Sequence, residues 1–140
     1  MPITKGFRAL VDEATAQITT YSVAEVRVRL QDPSVQIVDI RDIRELNDGT
    51  VRGAFHAPRG MLEFWVDPES PYHKPLFADA SKEFILFCGA GWRSALAAKT
   101  LQDMGMRNVA HMDGGWGAWR EAGAPVETLE EQKARRAAKA

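Results

Sequence analysis

Apolar positions along this chain form short continuous runs, separated by stretches of helical periodicity. Residues 35–40 and 84–87 are two such runs, and each has the length and the apolar character of a strand buried on both faces. Strands of that kind are typical of parallel sheets, in which helices cover both faces. The pattern therefore predicts an α/β fold built on a mostly parallel sheet.

Shorter segments supply the other predicted elements. Further strands are expected at residues 17–20 along an edge, at 54–57 and at 109–111. Apolar residues at helical spacing predict an amphipathic N-terminal helix on the outside of the sheet, and they are Phe7, Leu10, Val11 and Ala14. A capping box at Ser22 and Glu25 predicts a helix that reaches about Leu30. Other helices are expected at 42–46, at 60–66, at 116–121 and in the alanine-rich segment that ends at Gly105.

Two segments are expected to lie outside the packed core. Residues 67–75 carry three prolines, too many for a helix or a central strand, which predicts an extended surface loop. Residues 127–140 begin with the capping-box pair Thr128 and Glu131 and hold few apolar residues, which predicts an exposed, charged and frayed helix. We therefore expect one domain over 1–126, with a helix at 1–16 packed on it and 127–140 as a tail.

Composition narrows the function classes. The 140 residues suit a single core, and a formal net charge of −1 gives no basic surface typical of nucleic-acid or anionic-membrane binding, so neither partner is expected. No apolar run approaches the roughly 20 residues that a membrane span needs, and the first residues lack a secretory signal, which favours the cytoplasm. The single cysteine suits a reducing compartment and is free for chemistry.

That cysteine, Cys88, follows the apolar run 84–87 directly, and two glycines and a helical pattern come next. A strand, a tight loop and a helix in this order place Cys88 at the carboxyl end of the strand, where ligands of α/β sheets gather. Loop amides and the start of a helix favour an anion, which can be a thiolate. With Arg93 one loop away, Cys88 is expected to be a nucleophile rather than a structural thiol.

Four spaced motifs resemble the single-domain rhodaneses, a sulfurtransferase family, over about residues 22–126. They are Val38-Asp-Ile-Arg41 with Glu45, Gly49-Thr-Val-Arg-Gly-Ala54, Cys88-Gly-Ala-Gly-Trp-Arg-Ser94 and Gly114-Gly-Trp-Gly-Ala-Trp119. The resemblance implies a five-stranded parallel sheet with helices on both faces, and a persulfide on Cys88. One departure lies in a scaffold turn, where Thr50 replaces the family's usual histidine.

The expected reaction has two steps and needs no cofactor. The Cys88 thiolate attacks the outer sulfur of thiosulfate or takes sulfur from a persulfide donor, and cyanide, a thiol or a protein acceptor then removes that sulfur. Arg93 is expected to bind the sulfonate oxygens of the donor. The other loop residues are expected to contact the donor as well, and they are Gly89, Ala90, Gly91, Trp92 and Ser94.

Three other activities have to be weighed on the same scaffold. Phosphatases and arsenate reductases of the Cdc25 type have a loop with one more residue between cysteine and arginine, and the shorter loop here leaves less room for phosphate. Mercaptopyruvate-type loops differ at the positions of Ala90 and Arg93, which favours thiosulfate or a persulfide as donor. A sulfur-relay module that works with a partner protein would use the same Cys88 persulfide and is the second hypothesis.

Other polar and aromatic residues are expected to be structural. Asp39 and Arg41 are expected to brace the scaffold through turn hydrogen bonds or an ion pair with Glu45. A hydrolase triad of Cys88 with His111 and Asp113 is disfavoured, because the family gives that segment no catalytic role. His56 and His73 lack metal-ligand spacing, so no metal site is expected. Trp116 and Trp119 are assigned to the core, whereas Trp92 is expected at the mouth of the loop.

Overall fold

The computed structural model describes residues 1–139, which form alternating strands and helices. The strands are β1 (Thr19–Tyr21), β2 (Val35–Asp39), β3 (Thr50–Val51), β4 (Phe55–His56), β5 (Glu83–Phe87), β6 (Val109–Met112) and β7 (Val126–Glu127). The α-helices are α1 (Phe7–Thr15), α2 (Val23–Arg27), α3 (Arg59–Val66), α4 (Trp92–Asp103), α5 (Gly115–Glu121) and α6 (Leu129–Lys139). Two short 3-10 helices cover Ile43–Asp48 and Pro75–Ala78.

Five strands form one sheet in the order β1, β6, β5, β2, β4, and every neighbouring pair is parallel. The register sets Asp39 beside Phe87, so β2 and β5 end at the same level. Their carboxyl ends carry the segments expected to do chemistry. The predicted α/β class, with a five-stranded parallel sheet, is confirmed.

Alternate residues of β5 face two separate parts of the core. Phe84 and Leu86 lie in the cluster formed with α3 and α4, and Ile85 and Phe87 lie in the cluster formed with α2 and α5. All four are fully buried. Helices therefore cover both faces of the sheet, as the continuous apolar run in β5 predicts.

Helix α1 packs on another helix rather than on the sheet, so the expected position of this helix is wrong. Its buried residues Val11 and Ala14 contact Ala95 of α4. Since α4 already covers this face of the sheet and presents the small side chain of Ala95 to α1, α1 packs closely against α4 and forms a third layer there.

Several boundaries differ from the predicted ones by a few residues. Helix α2 ends at Arg27 and continues as turns to Leu30, and the helix expected at 42–46 is a 3-10 helix. Residues 67–74 are turns and irregular chain, as three prolines require, and Pro75 begins a 3-10 helix. Within residues 1–139, the helices are all too short or too polar to cross a membrane.

The C-terminal segment is tied to the core, which differs from the expected frayed tail. Glu127 in β7 pairs with Thr50 in an antiparallel two-stranded sheet. In α6, Gln132 is buried, and its side-chain amide donates to the Ala54 carbonyl at 2.9 Å. Arg135 donates to the same carbonyl at 2.9 Å and forms an ion pair with Glu127 at 2.6 Å. Polar contacts to the backbone hold this helix, and a hydrophobicity pattern does not register them.

Candidate active site

The thiol of Cys88 lies at the carboxyl end of β5, beneath the loop that leads into α4, and is only 1% exposed. Two backbone amides point at its sulfur, because Gly91 N–H donates to Sγ at 3.2 Å and Ser94 N–H donates at 3.4 Å. Gly91 has φ +101 and caps the start of α4, a conformation that favours glycine. Amide dipoles that converge on a sulfur stabilise a negative charge there, as predicted from the strand-loop-helix order.

A second helix supports the loop from below. Backbone amides at the start of α5 donate hydrogen bonds to the loop carbonyls. Trp116 N–H donates to Cys88 O at 2.8 Å, and Gly117 N–H donates to Gly89 O at 3.1 Å. Gly115 has φ +57, and a Cβ at this position would clash with Cys88 O. The glycine pair that predicted a chain break is thus a close-approach point between α5 and the loop.

Arg93 forms a bidentate ion pair with Glu45 across the mouth of the loop. Nη1 donates to Oε2 at 2.8 Å and Nη2 donates to Oε1 at 3.0 Å, and the two side chains are 40% and 38% exposed. These hydrogen bonds lower the pKa of Glu45 and raise the pKa of Arg93. A Cβ on Gly89 would lie 3.0 Å from Arg93 Nη2, so the guanidinium lies over the loop. The position of Arg93 suits donor binding, and Glu45 lies at the site, whereas the sequence predicts only a bracing role for it.

Asp39 and Arg41 form a buried pair at the end of β2. Arg41 donates to both carboxylate oxygens of Asp39, at 2.8 Å from Nη2 and 3.0 Å from Nε, and also to the carbonyl of Gly49. Thr50 completes the group by donating from Oγ1 to Asp39 at 2.8 Å. Of the two expected forms of bracing, the turn hydrogen bond is present, from Arg41 N–H to Asp39 Oδ1 at 3.0 Å, whereas the ion pair with Glu45 is not, because Arg41 contacts the carbonyl of Glu45 and the carboxylate pairs with Arg93. The scaffold role holds, and Thr50 fills the position where the family usually has histidine.

Ser94 and His111 form a polar row behind the thiol. Ser94 Oγ lies 3.5 Å from Cys88 Sγ and 3.0 Å from His111 Nδ1. His111 is 2% exposed, and burial lowers its pKa, partly opposed by Asp113. Ser94 therefore stands between the histidine and the thiol, an arrangement different from the direct contact that a cysteine-histidine hydrolase requires.

The remaining predicted residues take varied positions. Ala90 is exposed at the tip of the loop, and Trp92 is 45% exposed beside it. The Trp92 ring lies 4.9 Å from the ring of Phe7, and the guanidinium of Arg8 lies 5.0 Å above it. Helix α1 thus contributes to the rim of the site, which the sequence pattern did not indicate.

Two histidines and a cavity lie apart from this chemistry. His56 and His73 each bond a backbone carbonyl, at 2.7 Å and 3.0 Å. A cavity of about 530 Å³ lies at the other end of the sheet, near the start of β6, and its lining includes Val66, Phe77 and Asn108. Its lining shares no residue with the Cys88 loop, so its volume is no guide to the reaction, whose groups converge at the carboxyl ends of the strands.

Comparison with known proteins places these features in context. Residues 22–122 match the rhodanese-like domain. The thiosulfate sulfurtransferase GlpE of Shewanella oneidensis is 36% identical over 91 residues, which are 65% of this chain and 81% of that protein. Among solved structures, the Wolinella succinogenes polysulfide-sulfur transferase homodimer is 31% identical with a TM-score of 0.66, and the match covers 87% of each chain.

A solved Rhodopseudomonas palustris structure is similar over more of the chain. It is 52% identical with a TM-score of 0.87, and the match covers 91% of this chain and 98% of that one. That protein is of unknown function and is described as a possible tyrosine phosphatase. The comparisons therefore agree on the fold and name two different reactions.

Proposed function

The chain belongs to the rhodanese-like family, and from that premise we propose that it is a sulfurtransferase that carries the transferred sulfur as a persulfide on Cys88. The observation that supports this most directly is the convergence of Gly91 N–H and Ser94 N–H on Cys88 Sγ. A neutral, structural thiol gains little from two amide donors, whereas a thiolate or a persulfide anion is stabilised by them.

The reaction proceeds in two balanced steps. The Cys88 thiolate attacks the outer sulfur of thiosulfate, a new sulfur–sulfur bond forms, and sulfite leaves with the electron pair of the broken bond. Cyanide or a thiol then attacks the outer sulfur of the persulfide, and the electron pair of that sulfur–sulfur bond returns to Sγ. Negative charge remains inside the loop throughout, so the same amides serve both steps.

Arg93 is proposed to bind the sulfonate end of the donor. Its two contacts with Glu45 occupy one edge of the guanidinium, and three of its five N–H groups remain for a ligand. The short loop, with four residues between Cys88 and Arg93, leaves less room for phosphate and supports sulfur transfer over phosphate hydrolysis.

The experiment compares three activities of the full chain and of Cys88→Ser. Wild-type protein should form thiocyanate from thiosulfate and cyanide, or should transfer sulfur from a persulfide donor to a thiol, and Cys88→Ser should do neither. Transfer from the persulfide donor without thiosulfate turnover would favour the relay module, which works with a partner protein. Rapid Cys88-dependent hydrolysis of aryl phosphates would reject the proposal and favour the description given to the Rhodopseudomonas palustris relative.

A further inference from the structure

Three side chains form a row that begins at the reacting sulfur of Cys88, passes through Ser94 and ends at His111 in β6. Ser94 Oγ lies 3.5 Å from Cys88 Sγ and 3.0 Å from His111 Nδ1. Ser94 and His111 are both buried, so bulk water does not compete for these contacts. The family motifs quoted above include Cys88 and Ser94 and leave out His111, whose function is therefore open.

The number of hydrogens available determines which atom donates in each contact of this row. In the described part of the chain His111 Nε2 is buried without a hydrogen-bond partner. An unpaired acceptor lone pair is tolerated in a protein interior better than an unpaired N–H, so the proton of the neutral ring belongs on Nδ1. Nδ1–H then donates to Ser94 Oγ, and the single hydroxyl proton of Ser94 is left for another acceptor.

Two acceptors compete for that hydroxyl proton, and the charge of the sulfur decides between them. The Gly91 carbonyl lies 3.4 Å from Ser94 Oγ, which is long for a hydrogen bond between oxygens, whereas 3.5 Å is an ordinary distance to the larger sulfur. A thiolate is also the stronger acceptor, because hydrogen bonds to charged groups are about twice as strong as neutral ones. The hydroxyl therefore turns to Sγ once Cys88 is ionised.

We propose that His111 is a positioning residue: its Nδ1–H holds Ser94 Oγ so that the Ser94 hydroxyl becomes a third donor to the Cys88 thiolate. The opposite tautomer would accept the Ser94 proton at Nδ1 and take that donor away from the sulfur. The third donor acts before attack on the donor molecule and again when the persulfide bond breaks and its electron pair returns to Sγ. The inference deepens the proposed function and rests on it for the second of these steps.

Other charged groups lie near this row of side chains and should stay unchanged in a test. Arg93 at the start of α4 interacts electrostatically with Cys88, and Glu45 from the 3-10 helix Ile43–Asp48 pairs with Arg93. Asp113, which follows β6, acts on His111 and lies beside Gly91. Variants at Ser94 and His111 leave these three charges in place.

The test measures how the rate of Cys88 alkylation by iodoacetamide depends on pH, because only the thiolate reacts. In the full chain, Ser94→Ala and His111→Leu should each move the midpoint upward by about one pH unit, which corresponds to up to tenfold slower alkylation below the midpoint. His111→Asn should stay near the wild-type midpoint, since its side-chain amide can donate from the position of Nδ1. If His111→Leu does not fold, His111→Ala replaces it.

The double variant Ser94→Ala with His111→Leu separates positioning from packing. If His111 acts through Ser94, the double variant has the same midpoint as Ser94→Ala alone. Met112→Leu is the matched packing control, because Met112 is buried in the same strand but faces the other cluster, and its midpoint should not move. A further upward shift in the double variant, or an equal shift in His111→Asn and His111→Leu, would overturn the inference.

Alkylation needs no sulfur substrate, so the two proposals can fail separately. A protein that shows the predicted midpoints but no sulfur transfer would contradict the proposed function and leave the positioning of the thiolate intact. Sulfur transfer with unmoved midpoints would contradict the positioning alone. In active protein, His111→Leu should lower kcat and leave the KM for thiosulfate unchanged, whereas a donor-binding residue would change KM.

Discussion

At the scale of single residues, the ion pair between Arg93 and Glu45 raises a question about function. A guanidinium that only stabilises the fold and one that also binds a donor would show the same 2.8 Å contact with Glu45. Removing the charge of Glu45 distinguishes the two roles. A donor anion competes with the Glu45 carboxylate for the guanidinium, so the donor should bind more tightly, whereas a pair that only stabilises the fold would lose stability.

Substitutions at the two ends of this pair should therefore have opposite effects on activity. Arg93→Ala should lower kcat/KM for thiosulfate roughly ten- to hundredfold, the value of about 1.5–3 kcal/mol for a charge-assisted contact, and Arg93→Lys should recover part of it. Glu45→Gln should instead lower the KM for thiosulfate by up to about fivefold. Steady-state kinetics with thiosulfate and with an uncharged sulfur donor check both. If Arg93→Ala loses as much activity with the uncharged donor as with thiosulfate, Arg93 does not bind the sulfonate.

The same pair predicts a pH dependence of stability. Because the folded state lowers the pKa of Glu45, the stabilisation it provides is fully present above its ordinary value of 4.5 and is lost as pH falls through the lowered value. The contribution should be no more than about 1 kcal/mol, since both side chains are well exposed. Urea unfolding of wild type and Glu45→Gln should show a difference that shrinks on acidification, and a difference independent of pH would contradict the prediction.

At the scale of elements, the approach of α5 to the Cys88 loop fixes the geometry of the site. A Cβ at Gly115 would meet Cys88 O and the backbone of Gly89 within 2.8 Å, and neither can move without distorting the loop. Gly123, just after α5, has a similar φ of +68, and a Cβ there would contact nothing within 4 Å. The two glycines separate backbone strain from crowding of the loop.

Alanine at these two positions should accordingly have different effects on activity. Gly123→Ala should lose about 1–2 kcal/mol of stability from the left-handed backbone conformation, and Gly115→Ala should lose more, because the clash with the loop backbone adds to the same strain. Only Gly115→Ala should lose sulfur transfer, because it displaces the carbonyls that hold the loop. Unfolding measurements and kinetics at a temperature where both variants are folded check this, and full activity in Gly115→Ala would contradict the role assigned to α5.

At the scale of the whole molecule, the C-terminal helix α6 contributes to the stability of the fold through its contacts with the core. Gln132→Ala removes a buried donor to the Ala54 carbonyl and should cost about 1 kcal/mol of unfolding free energy. Lys133→Ala is the matched control, because it makes the same gain in helix propensity at an exposed position and should change stability by less than about 0.5 kcal/mol. Equal values for the two variants would mean that α6 is frayed in solution.

Sequence patterns predicted the sheet well because its signals are local. The continuous apolar run of β5 and the glycines after Cys88 specify a buried strand and a tight loop within a dozen residues. The contacts that local patterns do not predict join distant segments. Glu45, which follows β2, pairs with Arg93, which follows β5. His111 contacts Ser94 because β6 lies next to β5. Such partners follow from strand order, which no local pattern encodes. Gln132 was missed because its partner is a backbone carbonyl.

The central claim is that Cys88 carries the transferred sulfur, and mass spectrometry tests it most directly. After incubation with thiosulfate and removal of excess donor, wild-type protein should gain the mass of one sulfur atom, located on the peptide that contains Cys88, and brief treatment with cyanide should remove it and release thiocyanate. Cys88→Ser, which has no thiol, should gain nothing. A wild-type protein whose mass stays unchanged with both thiosulfate and a persulfide donor would contradict the account.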